Sequence, residues 1–143
     1  VLEGALKILE TVRQGVTGYD IEEFFHGIYN SINEDAHIIY LASAGDYKSR
    51  VETLIEILSE WTPHHYRIAS PHGITVQLAN DFICDFTEDP LFSSWEYIIP
   101  LQIVACLAPL ELGINPDIPK DPEFHKRIGS KQTDGVRDFY PQT

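Results

Sequence analysis

Three short runs of β-forming residues, separated by helical or turn patterning, limit this chain more than any other feature. The runs are His37-Ile38-Ile39-Tyr40-Leu41-Ala42, His65 to Ala69 and Asp81 to Phe86. The first is nearly all apolar and lacks the in–out alternation of a strand with one wet face. It reads as a strand covered on both sides, the usual situation in a parallel sheet. Parallel neighbours need a crossover connection, most often a helix. Between the first two runs Asp46 offers an N-cap for a helix to about Trp61, with Val51, Leu54, Ile55 and Leu58 facing inward. The element order predicts an α/β domain with a mostly parallel sheet between helical layers.

The flanks read as helical. From Val1 to about Gln14, Leu2, Ala5, Leu6, Leu9 and Val12 form an apolar stripe, with Gly15 and Gly18 as stop signals. Asp20 is placed to cap a short helix from Ile21 to about Tyr29, with Glu22 and Glu23 in its first turn. Pro71-His72-Gly73 reads as a turn, while Ile74 to Leu78 suits either a strand or a turn of helix. Pro90 to about Leu112 is a long, mostly apolar helix ended by Gly113. Pro100 and Pro109 within it imply a kink or two helices in series. Asn115 to Pro122 reads as an extended arm, followed by a short helix or turn near Phe124 to Ile128. We expect one domain over residues 1–131 and a loose tail over 132–143.

Charge excludes more than it assigns. The formal net charge is −12, which repels nucleic acid. No GxxxxGK[ST] or GxGxxG loop offers a phosphate cradle, so a phosphorylated ligand must find most of its phosphate contacts elsewhere. No run approaches the ~18 consecutive apolar residues of a membrane span, and the start shows no signal-peptide pattern. Cys84 and Cys106 both sit in apolar segments and read as buried free thiols, which suits a cytoplasmic protein. Helical patterning begins at once from Val1, which we read as a piece of a longer polypeptide cut near the start of a helix.

Glu3, Lys7 and Glu10 stand at i, i+4 and i+7, which puts two carboxylates and an ammonium on one helix face. By spacing alone such a stripe is a solvated ion-pair face. His26, closing the next amphipathic segment, adds a group that titrates near neutrality. A base, a counter-charge and an acid are what proton transfer on a sugar requires. The other histidines (His37, His64, His65, His72 and His125) lack metal-ligand spacing, and no nucleophile elbow or Cys–His pair is present.

The segments Leu2-Glu3-Gly4-Ala5-Leu6-Lys7-Ile8-Leu9-Glu10, Glu22-Glu23-Phe24-Phe25-His26-Gly27 and Ile32-Asn33-Glu34-Asp35 resemble the second sugar isomerase (SIS) subdomain of phosphosugar isomerases. The isomerase half of glucosamine-6-phosphate synthase and the deglycases of 6-phosphorylated Amadori compounds are the nearest in pattern. Ile99 to Ile103 and Gly113 to Pro119 are similar too. The resemblance implies a flavodoxin-like three-layer sandwich and an enzyme built from two SIS halves. It implies a homodimer with a shared site and a phosphorylated sugar or amino sugar as substrate. The phosphate-holding loop belongs to the N-terminal half.

The resemblance also implies residue roles. Glu10 matches the base that moves a proton between C1 and C2, and Glu3 and Lys7 line the sugar site. His26 matches the residue that assists ring opening and reaches into the partner's site. A C-terminal lysine completes the site: Lys131 in Arg127-Ile128-Gly129-Ser130-Lys131, with Lys126 as the rival. No metal or organic cofactor is required. Ile28 stands where the family usually has proline, and the chain runs on past Lys131 further than typical members do. The expected activity is aldose–ketose 6-phosphate isomerisation. Fructosamine-phosphate cleavage and non-catalytic sugar-phosphate sensing are the alternatives.

Overall fold

A computed structural model describes residues 1–130. Strands β1 (Ile38–Ala42), β2 (His65–Ala69) and β3 (Asp81–Ile83) form a parallel sheet in the order β1-β2-β3. The register pairs Ile39 with Tyr66, Leu41 with Ile68, and Ile68 with Phe82, so these side chains share one sheet face. Tyr40, Ala42, Arg67 and Ala69 share the other. Helices α1 (Leu2–Val12) and α4 (Ser93–Glu111) cover the first face, where Ile8, Ile68, Tyr97, Leu101 and Ala105 form the core. Helix α3 (Lys48–Leu58) crosses from β1 to β2 and buries Ile55 and Leu58 on the second. Helix α2 (Ile21–Phe25) lies beside α3, and a short α5 (Phe124–Arg127) follows the arm. The architecture is the three-layer α/β sandwich with a parallel sheet that the order of elements predicts.

Local chemistry explains where the boundaries differ from the pattern. Helix α1 stops at Val12 rather than near Gly15 because Arg13 turns left-handed, at φ 62°, and returns its N–H to the Leu9 carbonyl. The Arg13 guanidinium then donates to the carbonyls of Ile118, at 2.7 Å, and Asn115, at 3.3 Å, tying the arm to the end of α1. Asp20 caps α2 as expected, accepting the Glu22 N–H at 2.9 Å. Asp46 does not cap α3; Tyr47 precedes it and no side chain caps it. Ile74 to Leu78 is neither strand nor helix. Helix α4 is continuous through both prolines rather than two helices in series. Cys84 is half-buried, but Cys106 is exposed on the outward face of α4, contrary to its apolar context. Among the described residues no helix is long and apolar enough to cross a membrane.

One buried ion pair fixes the far side of the sheet. Arg67 of β2 and Asp81 of β3 expose only 3% and 1% of their side chains. Arg67 Nε donates to Asp81 Oδ1 at 3.0 Å and Nη2 to Oδ2 at 2.5 Å, and Nη2 also reaches the Val76 carbonyl at 2.7 Å. The Leu78 N–H donates to the same carboxylate at 2.6 Å. The pair therefore closes the irregular 74–80 segment onto the sheet. Removing one member strands the other charge in a dry site. Arg67→Ala should lower unfolding free energy by about 3–5 kcal/mol in a urea titration. A loss under about 1 kcal/mol would mean that water already solvates Asp81.

Candidate active site

Helix α1 is amphipathic, and its inward side decides what faces out. Gly4 and Ile8 are buried against α4 and the sheet, so Glu3, Lys7 and Glu10 point to solvent in one row. Lys7 Nζ lies 3.0 Å from Glu10 Oε2 and 3.8 Å from Glu3 Oε1. The hydrogen bond and charge of Glu10, and then Glu3, raise the Lys7 pKa above the ordinary lysine range. Among the described residues, no other group bonds to the two carboxylates. The stripe is a preformed base–cation–acid row open to whatever docks on it.

His26 sits at the C-cap of α2, its N–H bonded to the Glu23 carbonyl at 3.1 Å. Gly27 then adopts φ 121°, a conformation in which a side chain would be strained, which is why glycine must follow the histidine here. Ile28 opens a 3₁₀ turn, Ile28–Ser31, at the first helical position that accommodates proline equally well. Helix α2 buries none of its residues. It is held by Arg50 of α3, which donates to both Glu22 carboxylate oxygens and lies 5.0 Å over the Phe25 ring. His26 therefore belongs to the α3 layer and Glu10 to the α1 layer, with the sheet between them. Within one chain the two do not meet.

The remaining expected residues divide. Lys126 pairs with Glu123 at 3.0 Å on exposed α5 and makes no bond to α1. Lys131 lies outside the described residues. At the amino-terminal edge of the sheet His37 stacks on His64, with ring centroids 4.2 Å apart, and on Tyr66. The largest cavity among the described residues, about 640 Å³, lies between α1, α4 and the first sheet face. Ile39, Leu41, Phe82 and Val104 line it, and the polar stripe of α1 does not. Sequence reasoning missed Arg50 because its partner Glu22 is 28 residues away and no local pattern links them.

No family model matches the chain. A solved structure from Clostridium difficile 630, described as that of a phosphosugar isomerase, superposes with a TM-score of 0.83 and 39% identity. It covers 92% of this chain and 36% of that one. The fold is that of a sugar isomerase (SIS) domain. A Salmonella typhimurium LT2 structure, described as that of a sugar binding protein, matches the SIS domain at 43% identity with a TM-score of 0.66. It covers 75% of this chain and 32% of that one. A mimivirus protein (Acanthamoeba polyphaga mimivirus) assigned as a glutamine–fructose-6-phosphate aminotransferase (isomerizing) is 32% identical over 125 residues, 83% of this chain and 19% of its own length. The aminotransferase of that name from Methanothermobacter thermautotrophicus is 28% identical over 122 residues. The SIS domain thus spans about a fifth of the curated relatives it matches and about a third of the solved chains.

If Arg50 is the clamp on α2, Arg50→Gln should speed amide exchange across residues 21–27 while changing global stability by less than about 1 kcal/mol, as an exposed pair does. Hydrogen exchange read by mass spectrometry separates the two. Unchanged exchange at 21–27 would free α2 from that clamp.

Proposed function

We propose that this SIS domain supplies the proton-transfer face of a phosphosugar isomerase, acting on an open-chain aldose or ketose 6-phosphate or its amino-sugar counterpart. The observation that carries this reading is the outward row in which Lys7 stands bonded to Glu10 and close to Glu3. The names of the relatives, isomerizing aminotransferases and a phosphosugar isomerase, support it. In this reading Glu10 takes the proton from the carbon beside the carbonyl and returns it to the neighbouring carbon. The Lys7 ammonium stabilises the developing enediolate, and Lys131 is the proposed second cation. His26 assists ring opening.

Two partners follow from the chemistry. A domain of net charge −12 without a phosphate cradle needs another surface to hold the phosphate, and the proposed holder is an N-terminal SIS half. The sheet separates Glu10 from His26, so the proposed site is shared between two copies, each lending His26 to the other. A second reading is binding without turnover. The resemblance at 43% identity to a structure described as that of a sugar binding protein favours it.

A positioned general base contributes about 10²–10⁴ in rate. Glu10→Gln in the longer polypeptide should therefore lower isomerase turnover by at least about 10², with the circular dichroism spectrum unchanged. Near-normal turnover in that variant would remove Glu10 from the mechanism. Wild-type polypeptide that binds sugar phosphates but turns over neither these nor fructosamine phosphates would support the binding reading instead.

A further inference from the structure

Helix α4 has an unusual outer face. Its 19 residues carry no charged side chain between Glu96 and Glu111. One side is spent on the core through Tyr97, Leu101 and Ala105. The opposite side exposes Trp95 (71%), Ile99 (53%), Ile103 (47%), Cys106 and Leu110 (58%). At 100° per residue these five fall within about 80° of arc, in a stripe roughly 22 Å long. Single exposed apolar residues are ordinary, but a continuous uncharged stripe of this kind marks an interface.

The stripe reads nearly the same in both directions. About a midpoint between Gln102 and Ile103, an antiparallel copy would set Trp95 against Leu110 of the partner subunit and Ile99 against Cys106 of the partner subunit. Ile103 would lie beside Gln102 of the partner subunit. A two-fold contact needs such self-complementarity. Charge points the same way. A chain of net charge −12 repels its own copy over most of its surface. On this face the two flanking acids, Glu96 and Glu111, would fall opposite Pro109 and Ser94 of the partner subunit, so no acid faces an acid. We propose that the outer stripe of α4 is a dimer seam, closed by α4 of a second copy of this chain running antiparallel. The seam is independent of the isomerase reading, since it involves neither α1's polar row nor His26.

Sedimentation equilibrium of the chain at micromolar concentration tests it. The expected mass is twice that of one chain, falling to one in Ile103→Glu, whose substituted position is already outside the core. A second variant keeps the fold undisturbed and reads the register. In Gln102→Cys with Cys106→Ser, the two copies of position 102 lie side by side, and mild oxidation should give a covalent dimer. A single-chain mass for the wild type would overturn the proposal, because the stripe would then serve some other partner. A dimer that survives Ile103→Glu, or that fails to cross-link through position 102, would overturn it equally by placing the contact or its register elsewhere.

Discussion

Gly4 lets α1 lie against α4, and much else in the molecule depends on that approach. A Cβ at this position would fall 2.1 Å from Leu101 Cδ1, so any side chain must displace the leucine at the centre of the core. With Gly4 and Ile8 turned inward, a helix of 3.6 residues per turn has no freedom left in its other face. Glu3, Lys7 and Glu10 are then obliged to face solvent in one row. The core is thus the reason the site exists: packing on one side of α1 orients the chemistry on the other.

The sheet imposes the second constraint. β1 and β2 are joined by α3 on one face, while α1 and α4 occupy the other. Helix α2 is too short to hold itself and leans on α3 through Arg50. His26 is therefore carried on the opposite layer from Glu10. Proton transfer by Glu10 and ring opening by His26 on one substrate then require a second chain, and the outward, uncovered setting of both groups suits that. The same openness recurs on α4, whose outer stripe is as apolar as a core yet faces solvent.

Much of this was legible in the residues, and physics says which part. The three strands, α1 and α3 announce themselves because hydrophobic period and length are local signals. The row Glu3, Lys7 and Glu10 could be read as one face from spacing, though spacing could not tell a solvated stripe from a site. What stayed hidden was long-range. Arg67 sits in a β-forming run and gives no sign of its buried partner Asp81, fourteen residues on. Arg13 ends α1 through a left-handed turn that its residue type does not favour, and finds the carbonyl of Ile118 across 105 residues. Cys106 looked buried because its neighbours are apolar, and only the packing of Tyr97, Leu101 and Ala105 shows that it lies on the outer side.

The separation of Glu10 from His26 is the central claim, and hybrid complementation addresses it most directly. Two differently tagged copies of the longer polypeptide, one with Glu10→Gln and the other with His26→Asn, are co-expressed, and the mixed dimers isolated. If each site draws Glu10 from one chain and His26 from the other, every hybrid retains one intact site, and turnover returns although both parents are inactive. Hybrids as inactive as their parents would contradict it, because both groups would then have to serve the same site from the same chain.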